Sequence, residues 1–132
     1  MVLASGVFDG LHAGHVSYLE AAKQLCEATE PLVVAVASDG YVKVAKKRSP
    51  HWTHAERSLV VEALTCVDVV VAHSEKGAAE AIRVLQPRLF VKGDDWRLKG
   101  LPDEDQIACH EVGASIVFIE ETETPHTSEI RH

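Results

Sequence analysis

Five short apolar runs, separated by stretches with helical character, constrain the fold more than any other feature of this sequence. The runs are 2–4, 32–37, 67–72, 88–91 and 114–119, and the helical stretches are 15–28, 54–65, 77–85 and 103–112. A continuous apolar run is typical of a strand buried on both faces. Its alternation with helices predicts an α/β protein with an open five-stranded parallel sheet, right-handed crossovers and helices on both faces. The length of 132 residues predicts one domain, 1–132.

The charge balance and the cysteines exclude several classes of protein. The formal net charge is −7, whereas nucleic-acid binding needs a basic face, so we predict no nucleic-acid partner. No long apolar span, signal peptide or lipidation motif is present, which predicts a cytoplasmic protein with no membrane partner. Cys26, Cys66 and Cys109 have no metal or redox spacing, and we interpret each as a packed thiol in a helix. His51 and His54 lack the further ligands of a four-ligand set, so no protein-held metal is predicted.

The segment that follows the first apolar run has the composition of a phosphate-binding turn. Gly6, Gly10 and Gly14 permit a tight turn and a close approach of the backbone to a ligand. His12 and His15 lie one helical turn apart where the next helix begins, and a helix start offers free N–H groups to an anion. Because both imidazoles can face one anion, the pattern predicts a phosphate site. The alternative is an ordinary strand–helix turn that carries two surface histidines.

The two motifs in this segment resemble the signature of a known enzyme superfamily. Gly6-Val7-Phe8-Asp9 followed by His12-Ala13-Gly14-His15 is similar to the HxGH signature of the cytidylyltransferase-like nucleotidyltransferases. The resemblance implies a Rossmann-like sheet of strand order 3-2-1-4-5, with ligands bound where strands one and four end side by side. It further implies that His12 and His15 are catalytic and that Asp9 binds the acceptor. The implied nucleotide-binding residues are Gly6, Val7, Phe8 and Gly14.

A second turn extends the resemblance. Lys92-Gly93-Asp94-Asp95-Trp96 resembles the corresponding turn of glycerol-3-phosphate cytidylyltransferases and heptose-phosphate adenylyltransferases. The implied nucleotide-binding residues are Lys92, Gly93, Asp94 and Trp96. An indole can stack on a base or a sugar, or it can simply cap the core, and both interpretations of Trp96 stay open.

The basic residues after the second strand resemble the heptose-phosphate branch. Ser38-Asp39 is followed by Lys43 and Lys46 at the spacing of that branch, and Arg57 matches an arginine that opens the next helix. Lysine suits a phosphate as a mobile point charge, and arginine suits it as a bidentate fork. The resemblance implies that Lys46 is catalytic and that Lys43 and Arg57 bind the acceptor. The alternatives are a solvated basic face for the lysines and a surface ion pair for Arg57.

The end of the sequence carries a weaker likeness to a Ser-Thr-Thr-type motif. Thr127 and Ser128 match its two threonine positions, which implies that they bind the β- and γ-phosphates of the nucleotide. His126 stands where a serine is usual, and glutamates occupy a stretch in which the glycerol-phosphate branch has an arginine. These departures favour an alternative function, a non-catalytic nucleotide-binding module.

Together these features predict a nucleotidyltransferase that moves a nucleoside monophosphate from CTP or ATP to a sugar or polyol phosphate and releases pyrophosphate. A phosphate monoester has a second pKa of about 6, so its attacking dianion exists at neutral pH without a general base. Mg²⁺ is expected to arrive with the triphosphate. The partners are then a nucleoside triphosphate and a phosphorylated small molecule, and a homodimer is left open. A further alternative is an adenylyltransferase for a flavin or pantetheine phosphate.

Overall fold

A computed structural model describes residues 1–120, which form eleven helices and strands. In chain order they are β1 (Val2–Gly6), α1 (Ala13–Gln24), β2 (Leu32–Ala37), α2 (Asp39–Lys46), α3 (His54–Glu62), β3 (Val69–His73), α4 (Ala79–Leu85), β4 (Leu89–Gly93), α5 (Asp95–Lys99), α6 (Asp103–Val112) and β5 (Ser115–Ile119). The strands form one parallel sheet of order β3-β2-β1-β4-β5. The predicted α/β class, the parallel sheet and the strand order are confirmed.

The strand β1 is the central strand of the sheet, and both of its faces and both of its edges are covered. Leu3 pairs in register with Val33 of β2 on one side and with Phe90 of β4 on the other. Alternate β1 side chains enter two separate apolar cores, one beneath α1 and α3 and one beneath α4 and α6. The helices therefore cover both faces, as the sequence pattern predicts.

Two short helices were not predicted, and two cysteines lie outside helices. The eight-residue α2 buries one side chain, Val42, and is shorter than the stretch over which a helical period is recognised. The five-residue α5 is too short to show a helical period. Because α1 ends at Gln24 and α3 at Glu62, Cys26 and Cys66 lie in the turns that follow, whereas Cys109 is buried in α6 as expected.

None of the helices in the described part of the chain combines the length and the apolar character needed to span a bilayer.

Candidate active site

A crevice of about 560 Å³ opens where β1 and β4 end, at the centre of the sheet. Ala4 and Val91 pair in register just below it, so the turns that follow the two strands meet at one edge. Eleven residues that the sequence assigns to a site line this crevice: Gly6, Val7, Phe8, Asp9, His12, Gly14, His15, Lys46, Lys92, Gly93 and Trp96. The predicted convergence of the two glycine-containing turns is confirmed.

The histidine pair forms the start of α1. His12 is the N-cap residue, and its Nδ1 accepts a hydrogen bond from the Gly14 backbone N–H at 3.0 Å. Nδ1 of His15 accepts from the His12 backbone N–H at 3.2 Å, which completes a reciprocal capping box. Since both Nδ1 atoms are acceptors, the ring proton of each neutral imidazole lies on Nε2. The ring centroids are 4.0 Å apart, so the pair presents two N–H donors side by side.

The protonation of His15 fits a role as a neutral donor. Burial, together with the neighbouring His12, lowers the pKa of His15 from 6.5 to about 4. At neutral pH the imidazole therefore carries one proton, on Nε2, and its other nitrogen is already occupied by the backbone. Such a ring donates a hydrogen bond to an oxygen of a bound anion but has no lone pair available to act as a base.

Two glycines make room for aromatic rings at this turn. A Cβ atom on Gly14 would lie 2.9 Å from Cε1 of His12, and one on Gly6 would lie 2.8 Å from the Phe8 ring. The Phe8 ring in turn packs edge-on against His15, with centroids 5.4 Å apart. The sequence suggests that the glycines let the backbone approach a ligand; in the structure they allow the two imidazoles to be set in place.

Positive charge is concentrated in the crevice although the whole chain is acidic. Lys46, Arg48, Lys92 and Lys99 all line the crevice. Lys92 is buried, and its Nζ donates to Ser5 Oγ at 3.0 Å and lies 4.5 Å from the centroid of the Trp96 ring. Burial lowers the pKa of the Lys92 ammonium to about 8. An ammonium held in this way costs little further desolvation when an anion binds.

The Asp9 carboxylate lies at the margin of the crevice, with both oxygens engaged by the protein. Oδ1 accepts from the Trp52 backbone N–H at 3.0 Å, and Oδ2 accepts from the His51 backbone N–H and from Arg48, each at 2.9 Å. Despite the burial, these donors lower the pKa of Asp9 to about 2. In this arrangement Asp9 ties the 48–52 segment to the histidine turn.

Arg57 lies behind the turn, beneath the crevice. Its side chain has no exposed surface, and it donates to the carbonyl oxygens of Trp52 at 2.9 Å and Val7 at 2.8 Å. A third donor forms an ion pair with Asp39 at 2.7 Å. The surface ion pair considered as the alternative is excluded by this burial. For Arg57 to contact an acceptor as predicted, its hydrogen bond to the carbonyl oxygen of Val7 would have to break.

Two further predicted residues within the described part of the chain, Lys43 and Asp94, do not line the crevice. Lys43 is exposed on α2, one turn before Lys46, and does not line the crevice. The Asp94 carboxylate lies 3.2 Å from Arg97, and the Asp94 backbone N–H donates to Ile119 at the end of β5. Thr127 and Ser128 lie outside the described residues.

Eight further residues on the crevice wall were not predicted as site residues: Ser5, Tyr18, Tyr41, Ala45, Arg48, His73, Asp95 and Lys99. The Tyr18 hydroxyl donates to the carbonyl oxygen of Val91 at 2.8 Å and so joins α1 to β4, and burial raises its pKa. His73 ends β3, and a polar residue at the carboxyl end of a parallel strand is the sequence signal that could have identified it. Tyr41 and Lys99 lie on the two short helices that were not predicted, so no periodicity indicated where they point.

A crevice of this kind, with two imidazole donors at a helix start and several cations at the switch point of a parallel sheet, defines a class of Rossmann-like phosphate-binding proteins. Within that class, the chain belongs to the cytidylyltransferase-like family, whose profile matches residues 3–132.

Curated relatives include a heptose-phosphate adenylyltransferase and several bifunctional proteins. The chain is 44% identical over 105 residues to the D-beta-D-heptose 1-phosphate adenylyltransferase of Bordetella bronchiseptica, covering 78% of this chain and 63% of that protein. It is 42% identical over 99 residues to the bifunctional protein HldE of Blochmanniella pennsylvanica, covering 74% of this chain and 20% of that protein. The chain thus spans about a fifth of the length of the HldE relatives that it matches.

Solved structures share the fold. A lipopolysaccharide core biosynthesis protein from Thermoplasma volcanium superposes with a TM-score of 0.73 at 26% identity, covering 93% of this chain and 96% of that one. A protein of unknown function from Archaeoglobus fulgidus superposes with a TM-score of 0.67 at 18% identity, covering 93% and 91%. The second likeness concerns the fold alone.

Proposed function

We propose that this protein transfers an adenylyl group from ATP to a sugar phosphate and releases pyrophosphate. The family supports nucleotidyl transfer, and the names of the relatives support ATP as the donor and a phosphorylated sugar as the acceptor. The observation that carries the proposal is the His12–His15 pair, with two Nε2–H donors at the start of α1 and ring centroids 4.0 Å apart.

The chemistry asked of this site is positioning and charge stabilisation. An oxygen of the acceptor phosphate attacks the α-phosphorus of ATP, the bond to the β-phosphate oxygen breaks, and pyrophosphate leaves with that electron pair. His12 and His15 donate to the α-phosphate oxygens, on which negative charge grows in the transition state. His15 serves here as a donor because its neutral ring has no unoccupied nitrogen for a base. Lys46, which lines the same crevice, neutralises charge on the acceptor or α-phosphate.

Magnesium is proposed to enter with the triphosphate. Mg²⁺ keeps several waters and is usually bound by substrate phosphates with one or two carboxylates. Among the described crevice residues, Asp95 offers a half-exposed carboxylate, which is 3.6 Å from Lys99. The Asp9 oxygens are occupied by backbone donors. Asp95 is therefore the residue that fits a magnesium–triphosphate complex, in which the ion would neutralise phosphate charge.

The test pairs ATP and CTP with a panel of acceptors and measures pyrophosphate. The panel contains D-beta-D-heptose 1-phosphate, mannose 1-phosphate, glycerol 3-phosphate, flavin mononucleotide and phosphopantetheine. We expect pyrophosphate release and a nucleotide–sugar product, identified by mass spectrometry, with ATP and a sugar phosphate. His12→Ala should abolish the signal, and Lys47→Ala, outside the crevice, should retain it.

Each other outcome selects a different function. Nucleotide binding by calorimetry with no pyrophosphate from any acceptor would identify a non-catalytic module. Turnover confined to flavin mononucleotide or phosphopantetheine would identify the other branch of the superfamily.

A further inference from the structure

Part of the crevice wall consists of two polar side chains that the proposed chemistry does not use. They are Tyr41 of α2 and His73 at the end of β3, and Lys92 and Ser5 line the same crevice. His73 pairs in register with Ala37 at the end of β2. We call Tyr41 and His73 the polar recess.

The hydrogen bonding of His73 leaves one ring nitrogen as an acceptor. Its Nδ1 lies 2.9 Å from the carbonyl oxygen of Ser74, and because a carbonyl oxygen can only accept, Nδ1 carries the proton. Burial lowers the pKa of His73, and the neighbouring Lys92 lowers it further, so the ring is neutral. Its Nε2 therefore has a lone pair, for which the described residues provide no donor.

Tyr41 completes the recess with a group that both donates and accepts. Its ring packs edge-on against His73, with centroids 4.8 Å apart and planes at 85°. Burial raises the pKa of the phenol, so the hydroxyl keeps its proton. No described residue forms a hydrogen bond to this hydroxyl, and the ring lies on the crevice wall. The recess thus offers one atom that only accepts, Nε2 of His73, and one group that both donates and accepts, the hydroxyl of Tyr41.

This set of groups favours hydroxyls over phosphate oxygens. A phosphate dianion has only acceptor oxygens and would meet the His73 Nε2 lone pair with repulsion. A sugar hydroxyl donates to that lone pair and accepts from the tyrosine hydroxyl or from the ammonium of Lys92. The surroundings of Trp96 in the same crevice are different, because the Nζ atoms of Lys92 and Lys99 lie 4.5 and 5.1 Å from the centroid of its ring, which gives a flat cationic surface.

We propose that Tyr41 and His73 bind the hydroxyl groups of the acceptor and thereby select a sugar phosphate over acceptors with fewer hydroxyls. This inference rests on the proposed function, for which it names the residues that determine acceptor specificity. The acceptor phosphate then lies between Lys46 and the histidine pair, and its sugar ring extends toward the end of β3.

The test compares Michaelis constants for the two substrates in matched variants. His73→Phe keeps an aromatic ring and removes both nitrogens, Tyr41→Phe removes only the hydroxyl, and His73→Gln restores a side-chain acceptor. The control is His110→Phe on the exposed face of α6. We expect each Phe variant to raise the KM for D-beta-D-heptose 1-phosphate about tenfold, the effect of losing one hydrogen bond. The KM for ATP should stay within about twofold, and His73→Gln should recover part of the loss.

A binding arm separates failure of this inference from failure of the proposed function. Calorimetry without nucleotide measures the affinity of each variant for D-beta-D-heptose 1-phosphate and for inorganic phosphate, which has no sugar hydroxyls. Weaker sugar-phosphate binding with unchanged phosphate binding supports the recess, even if the wild-type protein releases no pyrophosphate. Unchanged affinity and unchanged KM in both Phe variants, or no binding of the sugar phosphate to the wild type, would overturn it. Equal losses for ATP and acceptor would also overturn it, because they indicate a structural role.

Discussion

The first turns of α1 and α5 follow neighbouring central strands and face the same crevice, yet they are built in opposite ways. The twelve-residue α1 has no acidic residue in its first turn and is capped by two imidazoles. The five-residue α5 begins without a side-chain cap and carries Asp95 in its first turn. A phosphate without a bound metal ion is attracted to the first arrangement and repelled by the carboxylate at the second, whereas a magnesium ion is attracted to that carboxylate.

What α5 contributes instead is a surface of a different kind. Trp96 packs on the second core and also lines the crevice, with two lysines over its ring. Both interpretations left open for this tryptophan are therefore compatible with its position. Two helix starts at equivalent places in a sheet can thus suit different parts of one ligand. The start of α1 suits a phosphate, and the start of α5 suits the base of a nucleotide.

The largest effect is expected when the donors of α1 are removed. His12→Ala and His15→Ala should each lower kcat by about 10²–10³, because each removes a preorganised donor to charge that develops in the transition state. ATP affinity should stay within about tenfold of wild type. The double variant should lose less than the product of the single losses, since both groups act on one phosphate.

Steady-state pyrophosphate release beside calorimetric ATP binding measures these effects, with His110→Ala as the control. A near-normal kcat in either single variant would contradict a catalytic role for that histidine and, with it, the contrast between α1 and α5. Parallel losses of kcat and affinity would make the pair a ground-state binding element.

The next effect concerns Lys46, a cation of the crevice wall. Lys46→Ala should lower kcat/KM about tenfold to a hundredfold, because Lys46 lines the crevice and is the cation proposed to neutralise phosphate charge. Lys47 is the matched control, since it is the next residue, it is exposed, and it does not line the crevice. Lys47→Ala should change kcat/KM by less than about twofold. Equal effects at the two positions would mean that the lysines act only as a diffuse positive patch.

A smaller effect is expected when the aromatic ring that α5 places in the crevice is removed. Trp96→Leu removes the stacking surface and should raise the KM for ATP about two- to tenfold, with little change in the KM for the acceptor. Trp52→Leu is the matched control because that tryptophan is exposed and lies outside the crevice. If the two substrates respond alike to Trp96→Leu, the indole serves the core and not the nucleotide.

The smallest effect is on the pH dependence of stability. The pKa of His15 is about 4 in the folded protein against 6.5 ordinarily, so between these pH values the unfolded chain binds a proton that the folded one does not. The free energy of unfolding should therefore decrease as the pH falls from 6.5 to 4, and this contribution should not change further below that range. His15→Gln should flatten the decrease in urea denaturation measured across the range. A decrease of the same slope in the variant would contradict the neutral-donor assignment of His15.

Much of the architecture could be predicted from the sequence because it depends on local pattern. The apolar runs and the intervening helical stretches required a parallel sheet with covered faces. The order of the strands came from the resemblance of the two glycine-containing turns to a known superfamily. The two short helices could not be predicted, because eight and five residues are fewer than the roughly 11 to 18 over which a helical period is recognised.

The candidate site divides in the same way. The sequence by itself determined the His12–His15 pair, because a cap residue and the residue three positions later are neighbours in any helix start. Only the tertiary structure decided that Arg57 is buried behind Val7 and that His73 faces Tyr41. Those contacts join residues far apart in the chain, and whether they meet depends on strand order, register and burial. A local pattern carries none of these, because they are set by the packing of the whole sheet.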